Sequence, residues 1–127
     1  MILLNFSHPL TEAQLMDIKE QVSQSDFDLL EIKTHFDHQL PFPEQITGLI
    51  DSLDISSQSW QTEPILINPP ALNVIALSLV ADLHGRMGYF PAIIRLKPIP
   101  DSLPQQFEFA EIINLQSIRD QARAHRY

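Results

Sequence analysis

Short apolar runs separated by amphipathic stretches limit this chain to few folds. Ile2 to Phe6, Phe27 to Thr34, Ile65 to Ile67 and Ala92 to Leu96 have the length and composition of strands, the first of them buried. Between the first two, Leu15, Ile18 and Val22 recur at helical spacing. Thr11-Glu12-Ala13-Gln14 ahead of them is a capping box, in which the threonine oxygen accepts from the N3 amide and the glutamine returns the bond. The Ser23-Gln24-Ser25-Asp26 cluster is expected to end that helix.

Pro43 suits the first helical position, and Ile46, Leu49, Ile50 and Leu53 follow at i, i+3, i+4 and i+7. The polar stretch from Ser56 to Glu63, which carries Trp60, is expected to be a loop. Asn73 is expected to N-cap a helix running through Leu83 and closed by Gly85 at C′. That helix is apolar almost all round, which implies cover on more than one side, the second from another copy of the protein at Ile75 or Leu79. Phe107 to Leu115 is expected to be a fifth strand, with Phe107, Phe109 and Glu111 alternating against Glu108 and Ala110, and a basic helix follows from about Ser117. The order predicts one α/β domain over residues 1–127, Rossmann-like, with a mainly parallel sheet and helices on both faces.

Composition narrows the function. Acids outnumber bases 16 to 8, for a formal net charge of −8. Wrapping duplex DNA needs a broad basic face, so duplex DNA is not an expected partner, whereas a small anion needs only a few donors. The charge is lopsided: residues 1–63 balance to −9 and residues 64–127 to +1. Arg119, Arg123 and Arg126 share one face of the expected last helix, as a solvated helix end or as a contact for a partner. Without cysteine, neither a disulfide nor a thiolate zinc site is possible. The run Met1 to Leu4 lacks a basic flank and is interrupted by polar residues, so the expected address is the cytoplasm, with no membrane span.

In a parallel sheet, ligands bind beyond the carboxyl ends of the strands. The first three runs end in Asn5, Ser7 and His8, in His35, Asp37 and His38, and in Asn68 with Asn73. Each of these is also an ordinary turn or cap residue, but together they make a candidate edge for a phosphorylated ligand. The histidines lack a metal-ligand spacing, no glycine-rich phosphate loop or G-x-S-x-G elbow is present, and neither metal nor cofactor is expected. His84 to Pro91 is expected at the opposite edge, where Arg86 caps a helix end or, with Tyr89, reaches a neighbouring subunit's ligand.

Asn5-Phe6-Ser7-His8-Pro9-Leu10-Thr11, Phe36-Asp37-His38, Asn68-Pro69-Pro70 with Asn73, His84 to Pro91 and Ile113-Asn114-Leu115-Gln116 resemble, in the same order, a family of small accessory proteins of type III CRISPR systems, the Csx family numbered fifteen. The resemblance implies a Rossmann-like fold related to cyclic-oligoadenylate sensor domains. It also implies a homodimer, with a possible ligand-linked assembly beyond it, that binds cyclic tetra-adenylate. On that reading Asn5, Ser7, His8 and Asn73 hold phosphate or ribose, and His38, Asn68 or Arg86 hold phosphate or a base edge, with Asp37 beside them. The messenger would be sequestered as by a sponge. The enzymatic alternative is a metal-independent ring nuclease with His8 and His38 as acid and base. A third reading is an interaction protein that docks on a CRISPR effector through the last helix or the His84 to Pro91 stretch.

Overall fold

A computed structural model of the protein describes residues 1–23 and 26–126. Its elements are β1 (Ile2–Asn5), α1 (Glu12–Val22), β2 (Asp28–Glu31), α2 (Phe42–Asp51), α3 (Ser57–Thr62), β3 (Ile65–Asn68), α4 (Asn73–Met87), β4 (Ala92–Pro98), β5 (Phe107–Asn114) and α5 (Leu115–Ala124). One sheet takes the order β2-β1-β3-β4-β5, parallel except for β5, which returns antiparallel against β4. The α/β class, the mainly parallel sheet and the cover on both faces are as expected from the sequence.

The short runs work because strand side chains alternate between faces and both faces are covered. The register pairs Ile2 with Ile65, Leu3 with Leu66 and Leu4 with Ile67. Ile2, Leu4, Ile65 and Ile67 therefore share one face, where they pack on Ile46 and Ile50 of α2, Trp60 of α3, and Ile75, Leu79, Leu83 and Met87 of α4. Leu3 and Leu66 point the other way, onto Ile18, Leu15 and Val22 of α1 and onto Ile94, Phe109 and Ile112. Each fully buried Leu or Ile is worth about 1.5–3 kcal/mol, so these two clusters hold the layers together.

Thr11 and Gln14 make the expected capping box, and the amide of the same glutamine donates to the Phe107 carbonyl at 2.8 Å, fastening the start of α1 to the edge strand β5. Gln24 and Ser25 of the cluster expected to end α1 lie outside the described residues. The left-handed C-cap itself is Ser23, at φ 55°.

Several boundaries differ from the sequence reading. Residues 56–63 are not a loop. Ser56 accepts from the Ser59 amide and starts α3, which turns Trp60 into the core at 3% exposure. Asn73 is the first residue of α4 and not its cap; the cap position is Leu72, which has no side-chain oxygen to offer. That helix runs on past Gly85 and stops at Gly88, whose φ of 84° is the left-handed value that favours glycine. Pro43 is the second residue of α2, where its missing N–H is equally harmless. The alternation in β5 breaks at a bulge: Arg95 faces Glu111 and Leu96 faces Phe109, so Ala110 is the extra residue. Phe109 and Ile112 thereby reach the same face, and Glu111 turns outward to pair with Arg95.

Nor does α4 present Ile75 or Leu79 to a partner. Both lie in the core of their own chain, while Leu72, Val74 and Leu77 are exposed, Leu77 at 71%. Leu79→Ala is therefore expected to cost about 2–5 kcal/mol in urea unfolding, and Leu77→Ala to shift stability by no more than about 0.5 kcal/mol. Equal effects at the two positions would contradict this assignment of faces.

Candidate functional site

The chain leaves β1 for β2 on one side of the sheet and crosses back to β3 on the other. The carboxyl ends of β1 and β3 thus form the point where connections diverge and a crevice opens. Asn5, Glu31 and Asn68 stand there side by side in register.

Asn5 is fully buried, and every polar position of its amide is used. Nδ2 donates to the His8 carbonyl at 2.9 Å and to Glu31 Oε2 at 2.8 Å. Oδ1 accepts from the Ser7 amide at 3.0 Å and from Asn68 Nδ2 at 2.8 Å. Only one orientation of the amide fits, because its two donors face a carbonyl and a carboxylate. The backbone adds bonds from Phe6 N to Asn68 O and from Ile32 N to Asn5 O, each 2.9 Å, and Thr34 Oγ1 donates to Phe6 O at 3.0 Å. Asn5 and Asn68 thus form a floor that shapes the Ser7–His8 turn; every polar position of the Asn5 amide is spent there, whereas Asn68 donates to it through Nδ2 and makes no other side-chain hydrogen bond among the described residues.

Above this floor lies an open cavity of about 810 Å³. Ser7, His8, Lys33, Thr34 and His38 contribute its polar groups, with Glu31 as its one acid. Phe6, Phe36, Pro70, Leu72 and Ile75 supply apolar wall. Phe42 packs edge-on to both Phe36 and His38, with ring centroids 5.5 and 5.4 Å apart, which steadies that wall. Leu72 and Ile75 bring the start of α4 to the rim. Because Leu72 cannot cap it, the first amides of this fifteen-residue helix have no side-chain acceptor and keep the positive end of the helix dipole open to an anion. Among the described residues Lys33 takes part in no ion pair, and neither the His8 nor the His38 imidazole is hydrogen-bonded.

The structure therefore brings Ser7, His8 and His38 together over Asn5 and Asn68, and puts exposed Asn73 beside the rim without lining the cavity. Asp37 stands outside. Its carboxylate accepts from the Gln39 amide at 2.9 Å, and its backbone is tied to Gln45 at both N and O. Arg86 lies at the opposite edge, as expected for its stretch, where Nε donates to Asp82 at 2.7 Å and Nη1 to Asp51 at 2.8 Å, clamping α4 to α2. Burial works against its charge, but the two aspartates outweigh it and raise the pKa above the ordinary arginine value. Lys33, Thr34 and Glu31 were missed in the sequence; the signal was that Glu31 and Lys33 alternate with buried Ile32 as β2 runs out.

Comparison with protein-family models, curated proteins and solved structures finds no match to this chain. Among the described residues no group of three or more His, Asp or Glu side chains is placed to hold a metal ion, and no helix is long and apolar enough to cross a membrane.

The floor yields a direct test. Asn5→Asp keeps the shape but removes both donors and sets a carboxylate against Glu31. It is expected to cost about 2–4 kcal/mol in the urea midpoint, because the His8 carbonyl and Glu31 lose their donor and two like charges meet. A cost below about 1 kcal/mol would mean that Asn5 does not organise this edge.

Proposed function

We propose that this protein binds a cyclic oligoadenylate, cyclic tetra-adenylate in particular, and sequesters it as a sponge that lowers the free messenger of a type III CRISPR response in the cytoplasm. The observation that carries the reading is the cavity at the β1/β3 divergence. There Ser7, His8, Lys33, Thr34 and His38 converge beside the uncapped start of α4, between apolar walls that suit the faces of bases. The motif resemblance named the ligand, and the geometry offers donors of the right kind at the edge where the first three of those motifs meet. The kinship to sensor domains belongs to the same proposal.

A homodimer is part of it. A cyclic tetranucleotide repeats its phosphates around an axis, and a twofold pair offers the same donors twice. Leu72, Val74 and Leu77 on the outer side of α4, next to the cavity rim, are the apolar residues such a pair would cover.

Sequestration asks less of this site than cleavage would. An acid–base histidine is ordinarily oriented by a hydrogen-bonded neighbour, and the described residues give none to His8 or His38. Tight holding requires only donors for phosphates.

Incubation of excess protein with cyclic tetra-adenylate in EDTA, followed by heat denaturation and chromatography, is expected to return the ring intact after hours. His8→Ala and Lys33→Ala are each expected to weaken binding by about 1–3 kcal/mol in calorimetry, as loss of a charge-assisted contact does. Arg86→Ala is expected to lower stability and leave affinity unchanged. Linear product with a 2′,3′-cyclic phosphate, lost in His8→Ala or His38→Ala at unchanged affinity, would replace the sponge by a ring nuclease. Absence of any binding would reject both and leave docking on a partner protein.

A further inference from the structure

The cavity contains one group at odds with a polyanion. Glu31 lies on its lining between the phosphate-type donors, and among the described residues it has no ion pair, not even with Lys33 two positions on. One oxygen, Oε2, accepts from Asn5 Nδ2 at 2.8 Å, which tethers this exposed carboxylate at the cavity floor. The other oxygen, Oε1, accepts no hydrogen bond among the described residues. Holding Asn5 would need only a neutral acceptor, such as a glutamine amide oxygen. A carboxylate makes the bond to Asn5 charge-assisted, but it weakens phosphate binding at that spot.

Carboxylates in nucleic-acid sites are used to accept from exocyclic amino groups on bases. The surroundings favour that role. Phe36, Leu72, Ile75 and Pro70 make apolar wall for a base face, while Lys33, His8 and the start of α4 take the charge. We infer that Glu31, positioned by Asn5, is a specificity-determining residue that accepts a hydrogen bond from the exocyclic amine of a bound base and so selects adenine over purines that lack this donor. This rests on the cyclic-adenylate reading above and adds the feature by which the base would be told apart.

The test compares three rings, cyclic tetra-adenylate and its analogues built with hypoxanthine or with unsubstituted purine, by calorimetry against wild type and Glu31→Gln. Wild type is expected to bind the adenine ring at least tenfold more tightly than either analogue. Glu31→Gln keeps an acceptor for Asn5 and adds a donor for the hypoxanthine carbonyl, so the preference over hypoxanthine should shrink to less than threefold. Unfolding followed by Trp60 fluorescence reports whether the variant is folded, and the three wild-type titrations stand without it. Equal affinity of wild type for all three rings overturns the inference while leaving the ligand reading intact, since a contact to ribose or phosphate would not sense the base. Full discrimination retained in folded Glu31→Gln also overturns it. Failure of wild type to bind any ring overturns the ligand reading itself, and this inference with it.

Discussion

A single buried amide organises the edge on which everything else depends. Asn5 ends the innermost stretch of β1 with no exposed surface, and a polar group buried there without partners would cost several kcal/mol. Meeting its four bonds requires the Ser7 amide, the His8 carbonyl, the Glu31 carboxylate and the Asn68 amide at one place. Those groups come from the ends of β2 and β3 and from the turn after β1. The same demand therefore sets the register of β1 with β2 and β3 and the shape of the cavity floor. A shift by one residue would also turn Leu3 and Leu66 onto the wrong face, so hydrophobic alternation and the polar hub reinforce one register.

The layering was legible because period-two and period-3.6 patterns are written by burial alone. Leu15, Ile18 and Val22, and then Ile46, Leu49 and Ile50, pack where their spacing puts them. Boundaries were less legible, since they depend on competition between neighbours. Asn73 is a good cap in isolation, yet the turn after Pro69-Pro70 brings the chain into the helix one residue sooner and leaves Leu72 at the cap. Gly85 is a good stop, but its helix continues to bury Met87, and Gly88 takes the left-handed turn. The stretch around Trp60 is polar by count, and what makes it helical is one indole that has a core to enter. The bulge at Ala110 leaves no mark in composition; it follows from the need to bury both Phe109 and Ile112 against β4 and α1.

For the site, sequence reading found the edge better than it found the roles. Asn5 belongs to the site as structure beneath it, because an amide side chain at a strand end is consumed by the turn it stabilises, and Asn68 is tied to it through one donor. Ser7, His8 and His38 remain available because they lie one step farther out, on the turns themselves. Arg86, which the sequence offers as a helix cap or as a reach to a neighbouring subunit's ligand, is held by the acids nearest to it in space, Asp51 and Asp82. Lys33 lies just beyond the end of β2 and lines the cavity.

An acidic protein can host a polyanion only if its negative charge is kept from the site. Much of that separation follows from topology. Asp51 and Asp82 are held at the far edge by Arg86, and Asp37 is turned onto the Gln39 amide outside the cavity. Glu108 and Glu111 are neutralised along β4 by Lys97 and Arg95. One acid, Glu31, remains on the cavity lining, and it is the one whose position the Asn5 hub controls. The net charge of −8 is thus a poor guide to the potential at the crevice, which is set by Lys33, the helix start and one tethered carboxylate. Under the proposed function, that composition divides the labour between donors at the rim, for phosphates, and one acceptor, for a base edge.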